Sequence, residues 1–166
     1  TEFGFLQFPQ AISIVGAKGV VASDVNFTAN VDNNLSNINK NTKIIFLANP
    51  NNPTGTFISR NEITRLHNAI PSNILLVYDA AYSEFVVNKN YTDGSQLVDK
   101  YENVIMLRTF SKLHGLASLR LGWGYASENI INNLMKVRGP FSVNTAAIMA
   151  GVAALEDLEF QKKSVE

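Results

Sequence analysis

"KIIFLANPNNPTGTFISRNEITRLHNAIPSNILLVYD", residues 43–79, decides how the chain folds. It opens on a continuous apolar run, KIIFLA (43–48), the pattern of a strand covered on both faces. A turn follows with two prolines, three asparagines and a glycine (49–55). Ser59 then stands three residues before Glu62, a capping-box spacing that predicts a helix to about Ala69. ILLVYD (74–79) is a second buried-type strand. Strand, turn, helix and strand in this order form the unit of a parallel sheet, whose neighbours must be joined by a crossover.

The same alternation extends outward. NVIMLRT (103–109) reads as a third strand, LRLGWGYA (119–126) as a fourth, and 126–137 and 143–158 as helices, before the charged helical stretch LEFQKKSVE at the end. Upstream, residues 4–19 have helical apolar spacing ending at Gly16 or Gly19, with Pro9 breaking or kinking the start. VVASDV (20–25) reads as a short strand, and the polar tract 30–42, with Leu35 and Ile38 three apart, as a short surface helix. The expected fold is therefore α/β, a mostly parallel sheet flanked by helices. No repeat, low-complexity segment or linker divides it.

Composition narrows the function classes. With 166 residues, 46% apolar and 17% charged, the chain can bury a core and is not of disordered composition. Fourteen basic and fourteen acidic side chains cancel, so no net field favours nucleic acid or an anionic membrane, and a small or neutral partner is expected. The longest apolar runs are far too short to span a bilayer and the N-terminus has no signal pattern, which predicts a soluble, cytoplasmic protein. Cysteine is absent and histidine occurs only at 67 and 114, so neither a disulfide framework nor a metal site is expected. The start at Thr1 and the stop inside a helical stretch read as a fragment.

In parallel sheets ligands sit beyond the carboxyl ends of the strands. After the first strand stands Asn52; after the second, Asp79 and Tyr82; after the third, Thr109, Ser111 and Lys112, with Arg120 eight residues further. This set of amide, carboxylate, phenol, hydroxyls, amine and guanidinium can bind a phosphate and an ionisable aromatic ring together. Taken singly, each has a plainer reading: Lys112 as a solvated cation, Asp79 as a helix cap, Tyr82 as a half-buried aromatic, Thr109 and Ser111 as loop hydroxyls, Arg120 as the partner of a surface carboxylate. Asn52 can serve the turn backbone, the role assigned to Asn49 and Asn51, while Tyr78 belongs to the core. Arg108 and Arg138 are rival anion-binding groups, His114 is assigned to packing, and GAKG (16–19) is too short for a phosphate loop.

The set NPNNPTG, YDAAY and TFSKLHGLASLRLGW, in this order, resembles the core of the fold-type I aminotransferases that depend on pyridoxal phosphate, over essentially the whole chain. RTFSK, LASLRLGW and LMKVRGPFSVN (134–144) are similar to the histidinol-phosphate aminotransferases within that family. The resemblance implies pyridoxal 5'-phosphate as cofactor, attached to Lys112, whose amine then moves the α-proton. It implies that Asp79 keeps the pyridine nitrogen protonated and that Tyr82 and Asn52 bond the ring oxygen. Thr109, Ser111 and Arg120 match the phosphate clamp, and Phe3 matches an aromatic that stacks on the ring. The implied reaction exchanges an amino group between glutamate/2-oxoglutarate and histidinol phosphate/imidazole-acetol phosphate, in histidine biosynthesis.

The resemblance also leaves rivals. They are another class I/II aminotransferase acting on an aromatic or phospho-substrate, a threonine-phosphate decarboxylase-like enzyme, and a cofactor-binding sensor domain of a transcription regulator. The last needs a DNA-binding module, and nothing basic or helix-turn-helix-like occurs in 1–166. The family also implies that 1–166 is part of a large domain, inactive alone. A further N-terminal segment, a small C-terminal domain and a second subunit of a homodimer would complete it, acting on amino-acid and 2-oxo-acid substrates.

Overall fold

The computed structural model describes residues 1–166. Four strands form one sheet in the order β1 (Ile44–Ala48), β2 (Leu75–Asp79), β3 (Val104–Thr109) and β4 (Gly122–Ala126). β1, β2 and β3 are parallel, and β4 returns antiparallel to β3. The register aligns Ala48 with Asp79 and Asp79 with Leu107, so the carboxyl ends of the parallel strands share one edge. The ladder continues past it, with Asn49 N–H donating to Asp79 O and Ala80 N–H to Leu107 O, both at 2.9 Å.

Seven helices surround the sheet: α1 (Gln7–Ile14), α2 (Val31–Ser36), α3 (Arg60–Ala69), α4 (Ser95–Val98), α5 (Glu128–Val137), α6 (Thr145–Glu156) and α7 (Leu158–Val165). The core lies under α3, where Ile63 and Leu66 pack with Leu76, Val104 and Met106 of the inner strands. Leu66 and Leu76 are fully buried, and burial of such side chains is the main stabilising contribution, roughly 1.5–3 kcal/mol each. α3 begins as expected: Ser59 Oγ accepts from Glu62 N–H at 3.3 Å. The Glu62 carboxylate turns outward to Arg65, so only half of the capping box forms.

The structure corrects four local expectations. VVASDV forms no strand: its one pairing is a bridge from Val25 to Thr28, and Val20 and Val21 lie exposed with no sheet edge beside them. β1 is covered only in its second half, because as an edge strand it leaves Ile44 47% exposed. Pro9 neither breaks nor bends the start of α1, since it stands in the first turn, where its missing N–H has no intrahelical partner to lose. The helix read over 143–158 ends at Glu156, and the Asp157 side chain caps a separate α7 by accepting from Phe160 N–H at 2.9 Å.

β3 and β4 clasp the segment between them. Thr109 pairs with Gly122, and Phe110 N–H donates to Leu121 O at 3.1 Å, which closes residues 111–120 into a hoop. Gly122 is required there, because a Cβ would lie 2.9 Å from Arg108 O.

Candidate active site

The shared carboxyl edge brings together the side chains picked out by sequence. Asp79 ends β2, Tyr82 follows it, Asn52 stands in the turn after β1, and Lys112 lies in the hoop after β3. Lys112 Nζ sits 5.0 Å from the centre of the Tyr82 ring. The Tyr82 hydroxyl accepts a long hydrogen bond from Asn52 Nδ2 at 3.4 Å. Lys112 Nζ itself makes no hydrogen bond or ion pair. Asp79 Oδ1 accepts from Ala81 N–H at 3.0 Å, the turn bond that the plainer reading of Asp79 foresaw. Burial pushes the Asp79 carboxyl above the ordinary carboxylate range, opposed by the Ala81 N–H and by the nearby Lys112 charge. Its ionised form therefore awaits a further cation.

At the other end of the hoop Arg120 adopts a left-handed backbone, φ +56°. That conformation is unfavourable for a residue with a Cβ, and it brings Arg120 Nη1 to 3.5 Å from Ser111 Oγ and 2.6 Å from Ala117 O. Ser111 N–H donates to Thr109 Oγ1 at 3.0 Å. Two hydroxyls, main-chain N–H groups and a guanidinium with Nε and Nη2 uncommitted thus stand at one place, a donor set suited to a phosphate. The rival anion groups are disposed of by their partners. Arg108 is clamped between Glu84 and Asp93, the latter at 3.3 Å, and lies 5.6 Å from the Trp123 ring, while Arg138 donates to Ser142 Oγ four residues away. His114 stacks on Phe110 at 4.8 Å, in keeping with a packing role.

The asparagines divide differently from the sequence reading. Asn49 is 1% exposed and reaches far outside its turn: Nδ2 donates to Ile58 O at 3.1 Å and to the Tyr78 hydroxyl at 2.8 Å, and Oδ1 accepts from Ile58 N–H at 2.9 Å. Tyr78 passes its proton bond on to Thr92 O at 2.6 Å, and Tyr91 OH donates to Asn49 O at 2.7 Å. Burial raises both tyrosine pKa values, so the two phenols stay neutral donors. The Asn49–Pro50 and Asn52–Pro53 bonds are both cis. Asn51, in turn, donates to the main-chain O of Phe3 at 2.9 Å, which ties the predicted stacking aromatic to the Asn52 turn. No local pattern signals these partners, which lie up to 48 residues away. A buried asparagine flanked by prolines was the one available hint.

Comparison with known proteins agrees with the geometry. The crystal structure of histidinol-phosphate aminotransferase from Sinorhizobium meliloti in complex with pyridoxal-5'-phosphate matches with a TM-score of 0.91 at 29% identity, over 98% of this chain and 44% of that one. The fold is that of the large domain of the fold-type I aminotransferases. The family profile "Aminotransferase class I and II" matches residues 2–166, and the chain belongs to that family. Histidinol-phosphate aminotransferase of Rhodospirillum centenum is 49% identical over 164 residues, and that of Maricaulis maris 50% over 166. The chain spans about half the length of these relatives, 45% and 46% respectively. No helix is long and apolar enough to cross a membrane.

Proposed function

We propose that the protein is a pyridoxal-phosphate-dependent aminotransferase that exchanges an amino group between glutamate/2-oxoglutarate and histidinol phosphate/imidazole-acetol phosphate, with residues 1–166 forming part of its large domain. The observation that carries the reading is the meeting of Lys112, Tyr82, Asn52 and Asp79 on one sheet edge, in a chain about half identical to proteins named for this activity. The uncommitted groups fit the cofactor. Lys112 Nζ is unpaired, Asp79 is a buried acid short of a cation, and Arg120 has donors to spare beside Ser111 and Thr109.

Bound there, the cofactor supplies an aldehyde that takes up amino groups and a protonated ring that accepts electrons when the α-proton leaves. Lys112 Nζ is the amine that anchors it and, once displaced by the amino donor, takes the α-proton and returns it to the neighbouring carbon. Asp79 accepts the ring N–H, and that positive charge offsets the desolvation that raises its pKa when alone. Tyr82 and Asn52 hold the ring oxygen from one side. Thr109, Ser111 and Arg120 grip the phosphate, fixing the ring relative to Lys112. Phe3 covers the ring face. The working protein is a cytoplasmic homodimer on this reading, as the family resemblance implies. Light scattering of the full-length protein tests the dimer.

The decisive experiment loads the full-length protein with pyridoxal phosphate and offers glutamate with imidazole-acetol phosphate. Formation of histidinol phosphate, lost in Lys112→Ala, is the expected result. Transfer to other oxo acids with none to imidazole-acetol phosphate would overturn the substrate, and full turnover by Lys112→Ala would overturn the mechanism.

A further inference from the structure

Phe3 is held in a closed ring of contacts. Its main-chain O accepts from Asn51 Nδ2 at 2.9 Å, and the same nitrogen donates to Thr54 Oγ1 at 2.9 Å. The Thr54 and Thr56 hydroxyls are 2.8 Å apart, and Thr56 Oγ1 donates to Phe27 O at 2.7 Å. The Phe27 ring closes the circuit, with its centre 5.2 Å from that of Phe3 and the planes tilted by 51°. From the opposite side Phe3 N–H donates to Asp24 Oδ2 at 3.1 Å. Both main-chain polar groups of Phe3 are thus engaged by side chains distant in sequence.

The arrangement is expensive in three respects. Asn26 and Phe27 form the tip of the Val25–Thr28 turn with φ of +50° and +60°, an unfavourable region for L-residues and more so for a bulky ring. Asn51 Oδ1 and Asp24 Oδ1 are buried with no hydrogen-bond partner, which adds a desolvation cost at each. The aromatic pair so secured is not itself core: Phe3 is 39% and Phe27 61% exposed. Strain and unmet polar groups concentrated around a solvent-facing ring point to a ring whose placement matters more than its burial. Asn51 is suited to the task because its amide nitrogen carries two hydrogens, one for Phe3 O and one for Thr54 Oγ1.

We propose that Asn51 is a positioning residue that locks Phe3, through Phe27, onto the turn presenting Asn52, so that the aromatic cover and the ring-oxygen contact are set by one rigid segment. This rests on the assignment of Phe3 to the cofactor made above. The test compares the apparent dissociation constant of pyridoxal phosphate for the full-length protein, for Phe3→Ala, for Asn51→Asp and for the double variant. Asp at 51 keeps the shape and the unpaired acceptor and loses both donated bonds. Each single variant is expected to weaken cofactor binding about tenfold, the worth of one well-made contact, and the double to stay within about twofold of Phe3→Ala. Effects that multiply in the double variant overturn the positioning role, because a merely structural residue acts independently of Phe3. So does an unchanged Asn51→Asp beside a weakened Phe3→Ala. An unchanged Phe3→Ala instead removes the assignment of Phe3, and with it the inference. If Asn51→Asp does not fold, Thr56→Val breaks the same ring at Phe27 O, and its additivity with Phe3→Ala is equally damaging.

Discussion

Tyr91 donates its hydroxyl to the main-chain O of Asn49 at 2.7 Å, bridging two segments 42 residues apart and fixing the first residue of the turn that carries Asn52. Tyr91→Phe removes that donor and leaves a buried carbonyl unmet. It is expected to lower stability by roughly 1–2 kcal/mol, read from the urea midpoint. Asn49→Ala strands Ile58 N–H, Ile58 O and the Tyr78 hydroxyl at once, and should cost clearly more. Equal costs would show that the network is not shared as described.

Asp79 separates stability from function. Its folded pKa is raised, so well below the ordinary carboxylate value both folded and unfolded chains hold the proton and the group is neutral in its effect. As pH rises from that value through the raised one, the unfolded chain releases its proton first and stability falls. Asp79→Asn should therefore stabilise the cofactor-free protein at pH 7 by roughly 0.5–2 kcal/mol, with the gain vanishing below about pH 4. Cofactor binding should weaken in the same variant. Denaturation at the two pH values checks the first claim, and a loss of stability at pH 7 would contradict it.

Arg120 and Arg108 should behave in opposite ways. Arg120→Gly relieves the left-handed backbone, worth roughly 1 kcal/mol, and forfeits the bond to Ala117 O, so cofactor-free stability should change little. Cofactor affinity should drop about tenfold or more, the scale of a charged hydrogen bond. Arg108→Ala leaves Glu84 half-buried beside Asp93 with no cation between them, and should destabilise by roughly 1–3 kcal/mol. Inorganic phosphate as a competitor distinguishes them: its binding should follow Arg120 and ignore Arg108.

Lys112→Ala should abolish covalent attachment of the cofactor and reduce turnover by about 10²–10⁴-fold or more, the usual worth of a positioned acid–base group. Mass spectrometry after borohydride treatment places the label; a tag on any other lysine would move the assignment.

The sheet was legible because it rests on apolar runs whose character is local: KIIFLA, ILLVYD and NVIMLRT became β1, β2 and β3 within a residue or so. The site was legible for a related reason, since each functional residue follows directly on a strand end and the parallel register aligns those ends. What escaped depended on partners remote in sequence. Val20 and Val21 look like strand residues but no strand pairs with them. Asn49 and Asn51 look like turn residues, yet bond to Tyr78 and Phe3. Arg108 looks like a free cation until Glu84 and Asp93 close around it.

The clasp made by Thr109 with Gly122 and Phe110 with Leu121 puts Lys112 and Arg120 on a single closed hoop. Chain length within it is therefore a ruler. One residue inserted between Ser111 and Arg120 cannot be absorbed by the ladder on either side, so it must shift the guanidinium relative to the amine. Elsewhere, as in the polar tract around α2, an added residue can bulge into solvent. Length variation across descendants of this chain should be absent from 111–120 and tolerated in 37–42, whatever substitutions the same positions accept.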